Sequence, residues 1–126
     1  MNIPQELKYT KEHEWISVNG NIASIGITDY AQGELGDVVF VDIDPNLQEV
    51  KQHANFGTIE AVKTVSELYA PCSGKVIEIN KKLVDSPETV NVDPYGEGWM
   101  IKIEISNPEE LTELLDEAAY SQLIGE

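Results

Sequence analysis

The sequence has no arginine, one cysteine, two histidines and no long apolar run. Eight lysines stand against 23 acidic residues in a chain of 126, which gives a formal net charge of -15. Nucleic-acid binding requires clustered cations that displace counterions from the phosphates, so this composition argues against nucleic acid, and likewise against anionic membranes. The charge favours partners that present basic patches, or it serves solubility alone.

Cys72 is the only cysteine, so no internal disulfide can form, and nothing indicates an oxidising compartment. The first residues lack the apolar core of a signal peptide, and no run reaches the ~18 apolar residues of a membrane span. We therefore expect a cytoplasmic chain, neither exported nor inserted. Its length predicts a single domain over residues 1–126.

Motifs for metals, nucleotides and catalysis are incomplete. His13-Glu14 lacks the second histidine of a zincin helix, and the start of a calcium loop at Asp42 has Leu47 in place of the required glycine. Gly96-Glu97-Gly98 is followed by Ile101 where a dinucleotide-binding fingerprint needs its third glycine. We therefore predict no metal site and no catalytic residues.

Short apolar runs separated by turn residues predict a mainly β chain. A hairpin turned at Asn19-Gly20 is expected over residues 13–27, since Asn-Gly favours a tight turn. Ile77 and Ile79 are expected to share one face of their strand, and the polar stretch that ends at Asn55 is expected to be surface loop. The other predicted strands are residues 38–43, 56–62, 66–69, 75–80 and 99–105.

Helical pieces are expected in three places. Thr28 is a predicted N-cap for a short helix through Gln32, and residues 86–90 suggest one helical turn. Near the end, Asn107 is a predicted N-cap, with Pro108 at the first helical position and Glu110 completing a capping box. Asp116 is expected to cap a second short helix that ends at Gly125. Together, the predicted strands and helices indicate a small barrel or sandwich with helices at one end.

Lys63 is the only lysine between Lys51 and Lys75, and it lies at the predicted tip of a hairpin. A lysine on a turn is usually just solvated. Here, however, Val62 and Val65 flank it where a bare turn would favour Gly, Asn or Asp. This pattern predicts recognition by a modifying enzyme that needs an extended amine on a rigid support.

The stretch Glu60-Ala61-Val62-Lys63-Thr64-Val65-Ser66-Glu67 resembles the lipoylation motif of glycine cleavage H-proteins. Biotin carriers place Met on both sides of the lysine, and lipoyl domains of 2-oxoacid dehydrogenases usually place Asp before it, whereas this chain has Val62 and Thr64. The likeness covers nearly the whole chain and includes residues 11–15, 26–32, 35–37, 69–74, 94–99 and 120–125.

The resemblance implies a flattened β-barrel, or barrel-sandwich hybrid, with short helices and a C-terminal helical segment. It implies a lipoyl-binding core over residues 22–104, with lipoate attached to Lys63 through an amide. Glu60 and Gly74 match positions that help a lipoate-attaching enzyme recognise its target. The implied protein is not an enzyme but a carrier, a monomer when free. It would shuttle an aminomethyl group from the P-protein, a glycine decarboxylase, to the T-protein, an aminomethyltransferase, and be reoxidised by the L-protein.

Two other functions stay open from the sequence. One is a lipoyl relay protein that passes lipoate to other enzymes, and the other is an acidic structural barrel whose lysine is never modified. The residues do not separate shuttle from relay.

Overall fold

The computed structural model describes residues 2–125, and within them nine strands form two antiparallel sheets. The strands are β1 (Lys8–Tyr9), β2 (Glu14–Asn19), β3 (Ile22–Ile27), β4 (Val38–Asp42), β5 (Glu49–Val50), β6 (Asn55–Ala61), β7 (Val65–Tyr69), β8 (Gly74–Ile79) and β9 (Ile101–Ile105). Six of them form one sheet in the order β1-β2-β3-β9-β8-β5, and three form the other in the order β4-β6-β7.

The β2–β3 hairpin forms where the Asn-Gly turn predicts it. Gly20 has a φ of 65°, a left-handed conformation that glycine adopts at no steric cost. Strand β9 then joins this hairpin to β8, with Ile25 opposite Ile101 and Val76 opposite Ile103. The large sheet is therefore completed by a strand from late in the chain.

The two sheets share one apolar core, to which Ile25 and Ile103 contribute from the larger sheet and Val41, Ile59 and Leu68 from the smaller. Alternation along each strand produces this core, because successive side chains point to opposite faces. The expected mainly β architecture of a flattened barrel, or barrel-sandwich hybrid, is confirmed. The ladders form two separate sheets and do not close into one continuous barrel.

A second, aromatic cluster lies under the C-terminal helix and is formed by Leu7, Tyr9, Trp15 and Tyr120. The rings of Tyr9 and Tyr120 stack with centroids 4.7 Å apart and planes within 12°. Strand β1, which the sequence patterns did not predict, pairs with β2 and brings Tyr9 into this cluster. The cluster thereby ties both ends of the chain to the larger sheet.

Along the described part of the chain, four short α-helices lie outside the sheets: α1 (Asp29–Leu35), α2 (Lys82–Asp85), α3 (Thr89–Val92) and α4 (Glu117–Ile124). Thr28 caps α1 as predicted, since its side chain accepts a hydrogen bond from the N–H of Ala31. The helix continues past Gln32 to Leu35, however. Helix α2 was not predicted, and the turn expected at residues 86–90 forms slightly later, as α3. Among residues 2–125, no helix has the length and apolar character needed to cross a membrane.

The predicted capping box at Glu110 is wrong. Residues Pro108–Glu113 form a 3-10 helix, and the side chain of Asn107 makes no capping hydrogen bond. The Glu110 carboxylate instead accepts hydrogen bonds from the N–H and the hydroxyl of Ser73, at 2.6 and 3.0 Å. A tertiary contact therefore replaced the local one. Asp116 does cap α4, and Gly125 ends it in the left-handed conformation, as predicted.

Strand positions differ from the sequence prediction where the two-residue period breaks. A bulge between Val76 and Glu78 turns Ile77 outward, so Ile77 and Ile79 do not share a face. The stretch before Asn55, expected as surface loop, contains β5, whose Val50 is buried. Strand β9 begins at Ile101 and not at Trp99.

Candidate functional site

Lys63 lies in the tight turn that joins β6 to β7, and its side chain is exposed. Within the turn, the N–H of Ala61 donates to the carbonyl of Thr64 at 2.8 Å. Beside it, the N–H of Val62 donates to the carbonyl of Asp37 at 3.0 Å. The turn is therefore fixed by backbone hydrogen bonds on two sides while the lysine side chain is exposed to solvent.

The charge around Lys63 leaves its amine accessible. The salt bridges found among residues 2–125 join Lys82 to Glu97 and Lys102 to Glu78, and neither involves Lys63. An amine that makes no ion pair can enter an enzyme active site without first breaking one. The arrangement suits covalent modification at the Nζ atom.

Asn91 supports the turn from behind. Its side-chain oxygen accepts a hydrogen bond from the N–H of Val38, and its amide group donates to the carbonyl of Gly36 and to the side-chain oxygen of Gln32, each at 2.9 Å. These bonds hold the segment that contains Asp37, whose carbonyl binds the turn. Helix α3 thus positions the hairpin through one side chain.

Glu60 lies on β6, three residues before Lys63, and so belongs to the same hairpin. Glu60 is exposed, with Phe40 opposite it on β4 and Val65 opposite it on β7. A partner that approached Lys63 could therefore contact the Glu60 carboxylate directly.

Gly74 lies in the other sheet, where it is buried at the start of β8 opposite Val50 and Ile105. A Cβ atom at this position would lie 2.5 Å from the carbonyl oxygen of Glu104 and 2.9 Å from Cδ1 of Ile103. The close approach of two strands, and not an unusual backbone angle, thus requires glycine here. Among the described residues, no hydrogen bond or strand pair joins Gly74 to Glu60 or Lys63.

An acidic cleft of about 340 Å³ opens beside the hairpin, between α1, the start of β2 and β7. Four of its lining residues are carboxylates, and its floor includes Ile27, Ile59 and Leu68. The carboxylates are Glu12, Glu14, Glu34 and Glu67. Ser66 also lines the cleft and follows Lys63 by three residues, so their Cα atoms are at most about 11 Å apart.

Glu14 is the buried member of this set, with 2 % of its surface exposed. Its carboxylate accepts hydrogen bonds from the hydroxyl of Thr10 at 2.6 Å and from the N–H of Tyr69 at 3.3 Å. Burial raises the pKa of Glu14 to about 7, although both hydrogen bonds favour the ionised form. The cleft therefore holds a carboxyl group that changes charge near neutral pH.

His13 forms one wall of the cleft and connects it to the C-terminal helix. Its Nδ1 atom lies 2.9 Å from the hydroxyl of Tyr120, which in turn lies 2.8 Å from the hydroxyl of Thr28. Burial lowers the pKa of His13 below its ordinary value, so the neutral ring is favoured. Its φ of 70° is rare for a residue with a side chain.

Cys72 is fully buried and free. Burial, followed by the nearby carboxylate of Glu110, raises the pKa of its thiol to about 11. A buried thiol with so little thiolate at neutral pH is a poor nucleophile.

The cleft residues were missed by the sequence analysis. The one available signal was Glu14, an acid in a predicted strand in phase with the apolar Ile16 and Val18. The other lining residues come from four separate segments, and no spacing in the sequence joins them. Among residues 2–125, no group of three or more His, Cys, Asp or Glu side chains is placed to hold a metal ion.

Comparison with known proteins gives one consistent result. The family model described as "Glycine cleavage H-protein" matches residues 7–126. A glycine cleavage system H protein from Symbiobacterium thermophilum is 59% identical over 125 residues, which are 99% of this chain and 98% of that protein. The crystal structure of a glycine cleavage system H protein from Mycobacterium marinum superposes with a TM-score of 0.86 at 36% identity, covering 98% of this chain and 100% of that chain.

Proposed function

Because this chain belongs to the glycine cleavage H-protein family, we propose that it carries lipoate joined by an amide to Nζ of Lys63. The observation that supports this assignment best is the exposed lysine on a hairpin turn fixed by backbone hydrogen bonds, where no side chain within residues 2–125 forms a salt bridge with it. Residues 22–104 would form the lipoyl-binding core, since they include both strands of the hairpin and most of the two sheets. Glu60 would contribute to recognition by the lipoate-attaching enzyme through direct contact, and buried Gly74 through the packing of β8.

The proposed activity is that of a carrier and not of an enzyme. The protein would shuttle an aminomethyl group from the P-protein to the T-protein, and the L-protein would reoxidise it. Lipoate, when bound, would supply a ring disulfide whose S–S bond breaks as one sulfur takes the aminomethyl group, and the dithiol left after transfer would be closed again by thiol–disulfide exchange. The chain supplies the support, because tethering through a flexible arm raises the effective concentration at a docked active site.

The turn suits the attachment of a long arm. Lys63 has a free amine, and the hydrogen bonds of Ala61 and Val62 fix the backbone from which its side chain extends. Amide formation removes the positive charge of the amine, and no ion pair of Lys63 within residues 2–125 opposes this loss. The residues present are thus compatible with the proposed cofactor.

The acidic cleft suits a cationic cargo. The carboxylates of Glu12, Glu34 and Glu67 surround an opening that also contains the ionisable Glu14. A protonated amine that entered this cleft would favour the ionised form of Glu14 through their mutual attraction. Its apolar floor would shield the pair from water, which strengthens the attraction. We infer that these residues shelter the aminomethyl cargo between docking events.

The assignment is tested with the variants Lys63→Arg and Lys75→Arg, in which the second is a control at another exposed lysine. Each protein is incubated with a lipoate-attaching enzyme, lipoate and ATP, and then measured by intact mass and peptide mapping. Arginine keeps the charge but offers no acylable amine. The wild type and Lys75→Arg should gain one lipoyl group, and Lys63→Arg should gain none and lose aminomethyl transfer. Lipoate on any other lysine would contradict the proposal.

A further inference from the structure

Four large apolar side chains are exposed around the Lys63 turn. Val62 and Val65 flank the lysine with 72% and 60% of their surface exposed. Val39 and Phe40, on the neighbouring strand β4, are 49% and 47% exposed. We call Val39, Phe40, Val62 and Val65 the hairpin patch. Exposed apolar residues grouped in this way mark interaction sites more often than scattered ones do.

A β-bulge produces half of this patch. The pairing of β4 with β6 shifts between Val38, opposite Ala61, and Phe40, opposite Glu60. The extra residue in the bulge lets Val39 and Phe40 both point outward, whereas strict alternation would bury one of them. Phe40, Glu60 and Val65 then form a row across the three strands.

Carboxylates surround the hairpin patch. Exposed acidic side chains stand on β4, β6 and β7 and in the loop before β4, and within residues 2–125 none of them makes a salt bridge. They are Asp37, Asp42 and Glu67 around the hairpin patch, and Glu60 within it, between Phe40 and Val65. Lys63 is the only lysine between Lys51 and Lys75. Apolar side chains that enclose one carboxylate and are bordered by others are complementary to a partner whose contact surface combines apolar and basic residues.

The length of the lysine side chain indicates which class of enzyme must contact the hairpin patch. Before modification, the reactive amine lies at the end of a four-carbon stem, so an acylating enzyme must approach within contact of the residues that flank Lys63. Enzymes that act on the far end of an attached lipoyl arm can dock at a greater distance. Contact with Val62 and Val65 is therefore obligatory only for the first class of partner.

We propose that the hairpin patch is the docking surface for the enzyme that attaches lipoate to Lys63. This inference rests on the proposed function, because it needs Lys63 to be the acceptor. It adds that the apolar residues, and not the lysine and Glu60 alone, supply the affinity, and that the surrounding carboxylates orient a basic partner. Enzymes that use the finished arm depend on the hairpin patch far less.

The test uses the double variant Val62→Thr/Val65→Thr, which keeps the β-branched shape and removes apolar surface. Ile77→Thr is the matched control, because Ile77 is 49% exposed on the other sheet. The kcat/KM for lipoylation is measured for each apo-protein with purified lipoate–protein ligase. Each protein is then fully lipoylated by long incubation, verified by mass, and assayed for reduction of its arm by the L-protein.

The double variant should lose about tenfold or more in lipoylation kcat/KM, mainly through a raised KM, which corresponds to about 1.4 kcal/mol. Its reduction by the L-protein, and both activities of Ile77→Thr, should stay within about twofold of wild type. Unchanged lipoylation of the double variant at an unchanged melting temperature would overturn the proposal, as would an equal loss in both assays. Lipoylation of the Lys63→Arg variant would instead refute the proposed function. Failure of the docking proposal can therefore be distinguished from failure of the proposed function.

A second double variant tests the carboxylates that border the hairpin patch. Asp42→Asn/Glu67→Gln removes two of these charges and leaves the hairpin patch and Glu60 in place. The KM for lipoylation should rise at low salt and depend less on salt than that of the wild type, because charges at this surface are screened over about 10 Å at ~0.1 M salt. Salt dependence identical to wild type would remove charge steering from the proposal.

Discussion

The side-chain oxygen of Asn91 accepts a hydrogen bond from the N–H of Val38, so helix α3 is attached to the first residue of β4. Val38 is paired with Ala61, two residues before Lys63. One half-buried amide side chain therefore connects a helix far along the chain to the turn that presents the lysine.

Asn91→Asp should destabilise the protein and loosen this turn. The aspartate keeps the acceptor for Val38 but loses both donors, and it sets a negative charge against the oxygens of Gly36 and Gln32. Two lost hydrogen bonds predict about 2 kcal/mol of lost unfolding free energy, measured by urea denaturation. Amide exchange at Val62 should become faster. Asn46→Asp, at an exposed turn, is the control and should change neither quantity.

Glu14→Gln should stabilise the protein at alkaline pH and leave it nearly unchanged in acid. The folded-state pKa of Glu14 is raised from 4.5 to about 7, so the folded protein binds this proton more tightly than the unfolded chain does. The wild type therefore loses stability as the pH rises from 4.5 to 7, by about 3 kcal/mol in full. Glutamine has no charge to desolvate and avoids this loss.

The measurement is the difference in unfolding free energy between Glu14→Gln and wild type, taken at about pH 5 and about pH 8. The difference should grow towards pH 8. Glu12→Gln is the control, because it removes a carboxylate from an exposed position in the same cleft. A constant difference for Glu14→Gln at the two pH values would show that Glu14 does not titrate in this range.

Gly74→Ala should lower the unfolding free energy by about 1–3 kcal/mol, because its methyl group would overlap the carbonyl of Glu104 and force β8 and β9 apart. Gly33→Ala is the matched control: nothing lies within 4 Å of the added carbon, and the residue is inside α1. That change should stabilise the protein by up to about 1 kcal/mol. Lipoylation should fall with stability in Gly74→Ala and persist in Gly33→Ala. Equal melting temperatures for Gly74→Ala and wild type would contradict the packing role.

Cys72 should be almost inert towards thiol reagents in the folded protein. A pKa raised from 9.0 to about 11 reduces the thiolate fraction at neutral pH roughly 100-fold, and burial blocks access as well. Labelling kinetics with a chromogenic disulfide should therefore be slow in buffer and fast in concentrated denaturant. Cys72→Ala should leave aminomethyl transfer unchanged, since thiol exchange on the lipoyl arm would not involve the chain. Rapid labelling of the native protein would refute this.

The sequence predicted the hairpin of Lys63 because two patterns agree there: alternating strands on both sides and a short connection between them. It also predicted the β2–β3 turn, where Asn19-Gly20 has few alternatives. These features are local, so a single sequence contains the information that determines them.

Features that depend on distant contacts were missed. The bulges at Val39 and Ile77 break the two-residue period, and only their pairing partners show where the extra residue fits. Strand β5 is two residues long and exists because β8 lies beside it. Glu110 had a plausible local role in a capping box, but Ser73 offered two donors from across the fold. The acidic cleft likewise exists only after four separate segments of the chain meet.

During synthesis on the ribosome, the strands of the smaller sheet become available for pairing earlier than those of the larger sheet. The three strands of the smaller sheet all lie between Val38 and Tyr69. All of their pairing partners can therefore leave the ribosome before the rest of the chain is synthesised. The larger sheet stays open until β9 emerges, because Ile25 pairs with Ile101 and Ile79 pairs with it from the other side. Local pairings form faster than distant ones. The strands of the lysine hairpin can thus pair early, whereas Asn91, which supports the hairpin, and β9, which completes the larger sheet, are synthesised later.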